Sequence, residues 1–219
     1  MNKNLIIFNT ENFVKETLKN AEGGHDWFHI IRVWNNAKLI AKTEKVDSFI
    51  VELGALLHDI ADSKFHDGDE TIGPRIAREF LKKENASEET ILHIENIINH
   101  ISFKSSLDSE QEKFSSPELN VIQDADRLDA IGAIGIARCF NYGGFKNRPL
   151  YDPEISPNLQ MTKEEYKKSK APTINHFYEK LLLLKDKMNT ETGKRIATDR
   201  HNYMEAFLKQ FYGEWNGKR

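Results

Sequence analysis

The chain has 219 residues, of which 39% are hydrophobic and 30% charged, with a mean hydropathy of −0.61. Membrane-spanning, collagenous and disordered classes are thereby excluded, and the length suits one ordinary domain with a sizeable core. Lys and Arg number 31 against 34 Asp and Glu, for a formal net charge of −3, so there is no global basic field to hold a nucleic-acid duplex.

The single Cys139 cannot form an intrachain disulfide and is read as a reduced core residue. The first residues, with an apolar run only from Leu5 to Phe8, lack a secretory pattern, and cytoplasmic residence is the expectation. Apolar residues recur at three and four positions along most of the chain, and sustained alternation is absent, so the expected class is all-α.

In chain order, a first helix is expected over Thr10 to Lys19, ended by Gly23-Gly24. A second runs from about Asp26 to Lys42, with His29, Val33, Ala37 and Ile40 on one face. A third spans about Val46 to Asp62 and is the most apolar, and a fourth spans Thr71 to Lys83, terminated near Asn85. Ser87 caps the next, whose buried stripe is Ile91, Ile94, Ile97, Ile98 and Ile101. After the polar stretch Lys104 to Ser115, Ser116-Pro117 starts a long helix toward Arg138. Gly143 to Asn158 reads as an extended surface loop, and helices over Pro172 to Lys187 and Thr190 to Trp215 finish the chain.

Three His-Asp dipeptides occur, His25-Asp26, His58-Asp59 and His66-Asp67, where chance supplies about half of one. His58-Asp59 falls in the most hydrophobic segment, where an unpaired imidazole and carboxylate would cost several kcal/mol. A divalent cation satisfies both, because neutral imidazole nitrogen and carboxylate oxygen are ligands for Mn²⁺, Fe²⁺, Co²⁺ or Zn²⁺; Mn²⁺ is the expected ion, with Mg²⁺ and Ni²⁺ among the alternatives. Neighbouring helical side chains diverge by about 100°, so other helices must complete such a site. His29, on the apolar face of the second helix, and Asp126, in the run Val121 to Leu128, meet that need; Asp124 competes with Asp126.

The motifs His25-Asp26-x-x-His29, His58-Asp59 and Ala125-Asp126-Arg127 resemble the HD-domain metal-dependent phosphohydrolases. The likeness covers residues 25 to about 140. The run Asp124 to Asp129 and the C-terminal helices, about 172 to 215, are similar to the small bacterial HD hydrolases. What the resemblance implies is an all-helical fold, one catalytic divalent metal held by His29, His58, Asp59 and Asp126, and phosphoester or phosphoanhydride substrates.

Two His and two Asp leave positions open to water and a phosphate oxygen, so the ion can both acidify water and polarise the phosphoryl group. Asp62, one turn beyond His58-Asp59, is the candidate acid/base, a shorter carboxylate than the Glu frequent in the family. Arg127 beside the last ligand, with Arg32, Lys64, His66, Lys104 and His100, are candidates to neutralise phosphate charge. His25, Asp26 and Asp124 are candidates to orient the ligands. His93 and His100, seven residues apart, leave room for a second metal sharing Asp59.

A small phosphorylated metabolite is the expected substrate, most specifically a nucleoside triphosphate cleaved to monophosphate and pyrophosphate. Tyr142, Phe145 and Tyr151 are available to stack on a base. A 5′-nucleotidase or phosphodiesterase would use the same ligands, and a nucleotide sensor without turnover is the rival from another class. No GxxxxGK[ST] loop or GxSxG elbow is present, which leaves P-loop and serine-hydrolase chemistry without support.

Overall fold

The computed structural model describes residues 2–19, 21, 26–61, 69, 71–101, 114–162, 165 and 169–218. Among them every regular element is helical, as the periodicity requires. The chain divides into two compact units, Met1–Asp126 and Arg127–Arg219.

In the first unit α1 covers Lys3–Thr17, α2 Trp27–Ala41, α3 Ser48–Leu57, α4 Ile72–Lys83, α5 Glu88–His100 and α6 Pro117–Asp129, whose last turn holds the unit boundary. Short polar side chains set most of the starts by accepting from backbone N–H groups left without helical partners. Asn2 accepts from Leu5, Asp26 from His29, Asp47 from Phe49 and Ser87 from Thr90. Ser116 Oγ accepts from Leu119 N at 3.0 Å, just before Pro117, as expected. The Asn2 cap starts α1 seven residues earlier than the Thr10 expected from periodicity. Asn85 takes a left-handed φ of 57° just past α4 and so supplies the expected stop.

α3 is the hub of this unit, packing against α1, α2 and α5, while α4 lies on α5. Its side chains Val51, Leu53, Ala55, Leu56 and Leu57 are completely buried. Gly54 faces the Ile122 side chain of α6: a Cβ there would sit 2.4 Å from Ile122 Cδ1.

The α3 helix stops earlier than the sequence suggests, at Leu57 rather than Asp62. Its end is tightened by Ile60 N donating to Leu57 O, and the His58 ring nitrogen Nδ1 reaches back to Ala55 O at 2.9 Å. That carbonyl is among the last four of the helix, which lack regular partners, so the imidazole acts as a cap.

In the second unit α7 covers Gly132–Phe145, α8 Asn175–Glu179, a 3₁₀ helix Leu181–Lys187 and α9 Glu191–Trp215. α9 packs against α7 and the 3₁₀ helix, which also contacts α8. The expected continuous helix from Ser116 to Arg138 is two helices instead. Gly132 adopts φ +75°, and a Cβ on Gly135 would lie 2.2 Å from Ala130 O, so the chain turns at Ala130 and Ile131 in a way only glycine-spaced sequence permits.

The expected helix over Pro172 to Lys187 is likewise broken, at Lys180 with φ −144° and ψ −56°. The expected loop starts after Phe145 rather than at Gly143. An aromatic column of Phe140, Phe177, Phe207 and Phe211, with centroids about 6 Å apart, fills this unit. Arg200 donates to Leu128 O, so the last helix braces the final turn of α6 just ahead of α7. No described helix is long and apolar enough to cross a membrane.

Candidate metal centre

Three separate helices deliver the predicted ligands of the first unit to one point. His29 is in the first turn of α2, where Asp26 Oδ1 accepts from its backbone N–H at 2.9 Å; Asp26 thus fixes the helix start that carries His29. His58 and Asp59 follow the end of α3, and Asp126 lies in the last turn of α6.

His29 Nε2 is 3.5 Å from Asp126 Oδ1 and 3.7 Å from Asp59 Oδ2. His58 Nε2 is 3.7 Å from the same Asp59 oxygen. One ligand atom each from His29, His58 and Asp126 fall within 4.8 Å of one another. The histidines are sealed in, 2% and 4% exposed, whereas the Asp59 and Asp126 side chains are 24% and 43% exposed, so the cluster is reached from its carboxylate side.

The donor chemistry fits a cation. With Nδ1 of His58 on the Ala55 carbonyl, that nitrogen carries the ring proton of the neutral tautomer and Nε2 presents a bare lone pair. That Nε2 is buried and has no hydrogen-bond partner among the described residues, an arrangement expensive to maintain unless something electron-accepting occupies the space. A carbonyl partner on the far ring nitrogen is also the usual support for a metal-binding histidine. Two imidazoles and two carboxylates form a borderline donor set suited to Mn²⁺, Fe²⁺, Co²⁺ or Zn²⁺.

Of the two acidic candidates on α6, Asp126 joins the cluster. Asp124 is fully buried and points about 200° away around the helix. Arg32 is half-buried one turn after His29 on α2. Arg127, in the second unit, donates from Nη1 to Lys187 O at 2.6 Å. His100 Nδ1 is on Asn96 O at 2.8 Å, and His93 Nε2 meets Ser116 Oγ at 3.1 Å and Glu118 Oε2 at 3.6 Å. Both rings lean on Phe114. Among the described residues neither joins a metal-type cluster. His25, Asp62, Lys64, His66 and Lys104 lie outside the described residues.

Three side chains that were not singled out in the sequence hold α6 in place. Glu118 Oε1 accepts from Asp47 N at 3.0 Å, Gln123 Nε2 donates to His100 O at 3.0 Å, and Asn36 Nδ2 donates to Ala125 O at 3.3 Å. For Asn36 a signal existed: it lies seven residues after His29, on the same helix face.

Residues 27–131 match the HD domain family model, the segment that carries all four cluster residues. The chain belongs to the HD-domain family. It is 38% identical over 205 residues to the uncharacterized protein YpgQ of Bacillus subtilis, spanning 90% of this chain and 88% of that one. A crystal structure of an HD-superfamily hydrolase from Bacillus thuringiensis superposes with a TM-score of 0.79 at 42% identity, covering 98% of both chains. The structure of Bacillus subtilis YpgQ in complex with ADP superposes with a TM-score of 0.74 at 32% identity, over 97% of this chain and 100% of that one. The HD-domain chain therefore has the fold of the HD-superfamily hydrolases, as the motifs implied, and is read as a hydrolase.

Proposed function

We propose that this HD-domain chain is a cytoplasmic, metal-dependent phosphohydrolase that converts a nucleoside triphosphate to the monophosphate and pyrophosphate. The observation that carries the metal reading is the buried Nε2 of His58, without a hydrogen-bond partner among the described residues, beside Asp59, His29 and Asp126. His29, His58, Asp59 and Asp126 would hold one divalent ion, with Mn²⁺ the preferred species. When bound, such an ion supplies a nucleophile from water near neutral pH and stabilises charge on the phosphoryl oxygens.

The chain's own groups do the rest. The Ala55 carbonyl keeps His58 in the tautomer that offers Nε2. Asp26 holds the start of α2 and with it His29. Asp62 is assigned proton transfer, and Arg32, Arg127, Lys64, His66, Lys104 and His100 are assigned to phosphate charge. A nucleotide as substrate is supported by the related YpgQ having been solved with ADP.

The test is the purified full chain with Mn²⁺, offered nucleoside mono-, di- and triphosphates, cyclic nucleotides and an aryl phosphate. Pyrophosphate released from triphosphates alone supports the assignment. Phosphate released from monophosphates or the aryl ester refutes the bond assigned, and binding without turnover in any metal refutes the enzyme. Asp59→Ala is expected to abolish both Mn²⁺ uptake and hydrolysis.

A further inference from the structure

We propose that Asn36 is a positioning residue for the Asp126 carboxylate, so that α2 contributes twice to the metal centre, once through His29 and once through an amide two turns later. This inference rests on the metal reading above. Asn36 Nδ2 donates to the carbonyl of Ala125 at 3.3 Å, and that carbonyl belongs to the same planar peptide unit as the Asp126 N–H. A peptide plane is rigid. Holding its oxygen fixes the direction in which the chain enters the Asp126 Cα, and hence the direction of the bond to its carboxylate.

The location makes this grip consequential. Asp126 is three residues from the end of α6 at Asp129, and the last turn of a helix lacks a full set of backbone partners and frays first. Glu118 tethers the first turn of α6, Gln123 a point three residues before Asp126, and Arg200 and Arg138 reach Leu128 and Asp129 beyond it, whereas Asn36 acts on the peptide unit that enters Asp126 itself. Asn36 and His29 stand seven residues apart on α2, so they drift by only about 20° around it. Val33 and Ala37 between and beside them are fully buried, which leaves α2 little freedom to slide. The amide therefore sets the spacing between Asp126 Oδ1 and His29 Nε2, 3.5 Å apart, by a path that runs through one helix only.

The experiment titrates the full chain, cleared of metal by chelation, with Mn²⁺ read by the electron paramagnetic resonance signal of the free ion. Asn36→Ala and Asn36→Asp, the second nearly isosteric but unable to donate, are expected to weaken Mn²⁺ binding about tenfold, the lower end for a supporting partner of a ligand. Arg78→Ala is the control for stability alone. It removes a guanidinium that grips Glu88 and Glu95 of α5, a helix that carries none of the four cluster residues; it should lower the unfolding midpoint and leave Mn²⁺ affinity within twofold.

In an Asp126→Asn background the Asn36 substitutions should cost no further affinity, because their path to the ion is gone. Asn36 variants that bind Mn²⁺ as the parent chain does, or that cost the same in both backgrounds, overturn the proposal and leave the metal centre standing. A parent chain that binds no Mn²⁺ overturns the metal reading itself, and this inference with it.

Discussion

Replacing Gly54 by alanine tests how tightly α3 and α6 are pressed together. The new Cβ would meet Ile122 Cδ1 at 2.4 Å and two atoms of Ile97 at 3.4 Å, against about 3.5–4.0 Å for a relaxed carbon contact. Ile122 and Ile97 are both fully buried, so neither can swing its end into solvent. Either the Ile122 side chain is forced off its rotamer inside the core or the helices part by roughly the missing ångström, a class of overpacking that costs about 1–3 kcal/mol. Against this, alanine in place of glycine inside a helix contributes about 0.5–1 kcal/mol of stabilisation. The net expectation is a loss of about 1–2 kcal/mol, read from the denaturant midpoint by circular dichroism.

Ile122→Val removes the offending Cδ1. Alone it should cost about 0.5–1.5 kcal/mol, and in the Gly54→Ala background close to nothing. A more stable Gly54→Ala chain, or costs that simply add in the double variant, would refute the argument from close approach.

Three further outcomes are expected. His176 is held down to about 4 from its ordinary 6.5 by burial first and by Lys180 and Arg148 next. The unfolded chain therefore binds a proton that the folded one refuses, and stability is lost as pH falls from about 6.5 toward 4, by on the order of 3 kcal/mol; His176→Phe should flatten that part of the pH–stability curve, and an unchanged slope would count against it. Arg138→Ala strips the guanidinium from Asp129, whose side chain is 2% exposed, and should cost about 2–3 kcal/mol, below the usual figure for a buried pair because Arg138 is itself partly solvated. Urea melts compare the two chains. The Cys139 thiol is buried, which pushes its pKa up to about 12, so it should react with a thiol reagent at pH 8 only on unfolding; rapid modification of the native chain would contradict its placement.

Two helix starts were legible because capping is a local chemistry: Ser87 and Ser116 announce α5 and α6 by residue type alone, whereas the starts of α1 at Lys3 and α7 at Gly132 were not read from the sequence. The stops were less so. Ile131 to Ile136 continues an apolar rhythm across a real break, and only Gly132 with its positive φ and the contact of Gly135 with Ala130 reveal that the rhythm belongs to two helices. The end of α3 was hidden for a different reason, since it depends on the His58 ring turning back onto Ala55, a side-chain hydrogen bond that hydrophobic periodicity does not encode.

The cluster was legible in part because imidazoles on buried helix faces need partners, which narrows where they can go, and in part because the motifs around His29, His58-Asp59 and Asp126 resemble those of the HD family. Its supports were not, because Asn36, Glu118 and Gln123 act on backbone groups far away in sequence, and such contacts exist only once the helices have packed.

The donor atoms of the cluster come from the beginning of α2, the end of α3 and the end of α6. Every loop between those points must be closed before a single coordinating geometry exists, so partial opening of any one of these helices dismantles it entirely. An occupant of this space would consequently be felt as a rise in the cooperative melting temperature of the whole first unit, growing with the logarithm of its concentration. Melting scans across a concentration series thus weigh the occupant without any need to know which reaction it serves.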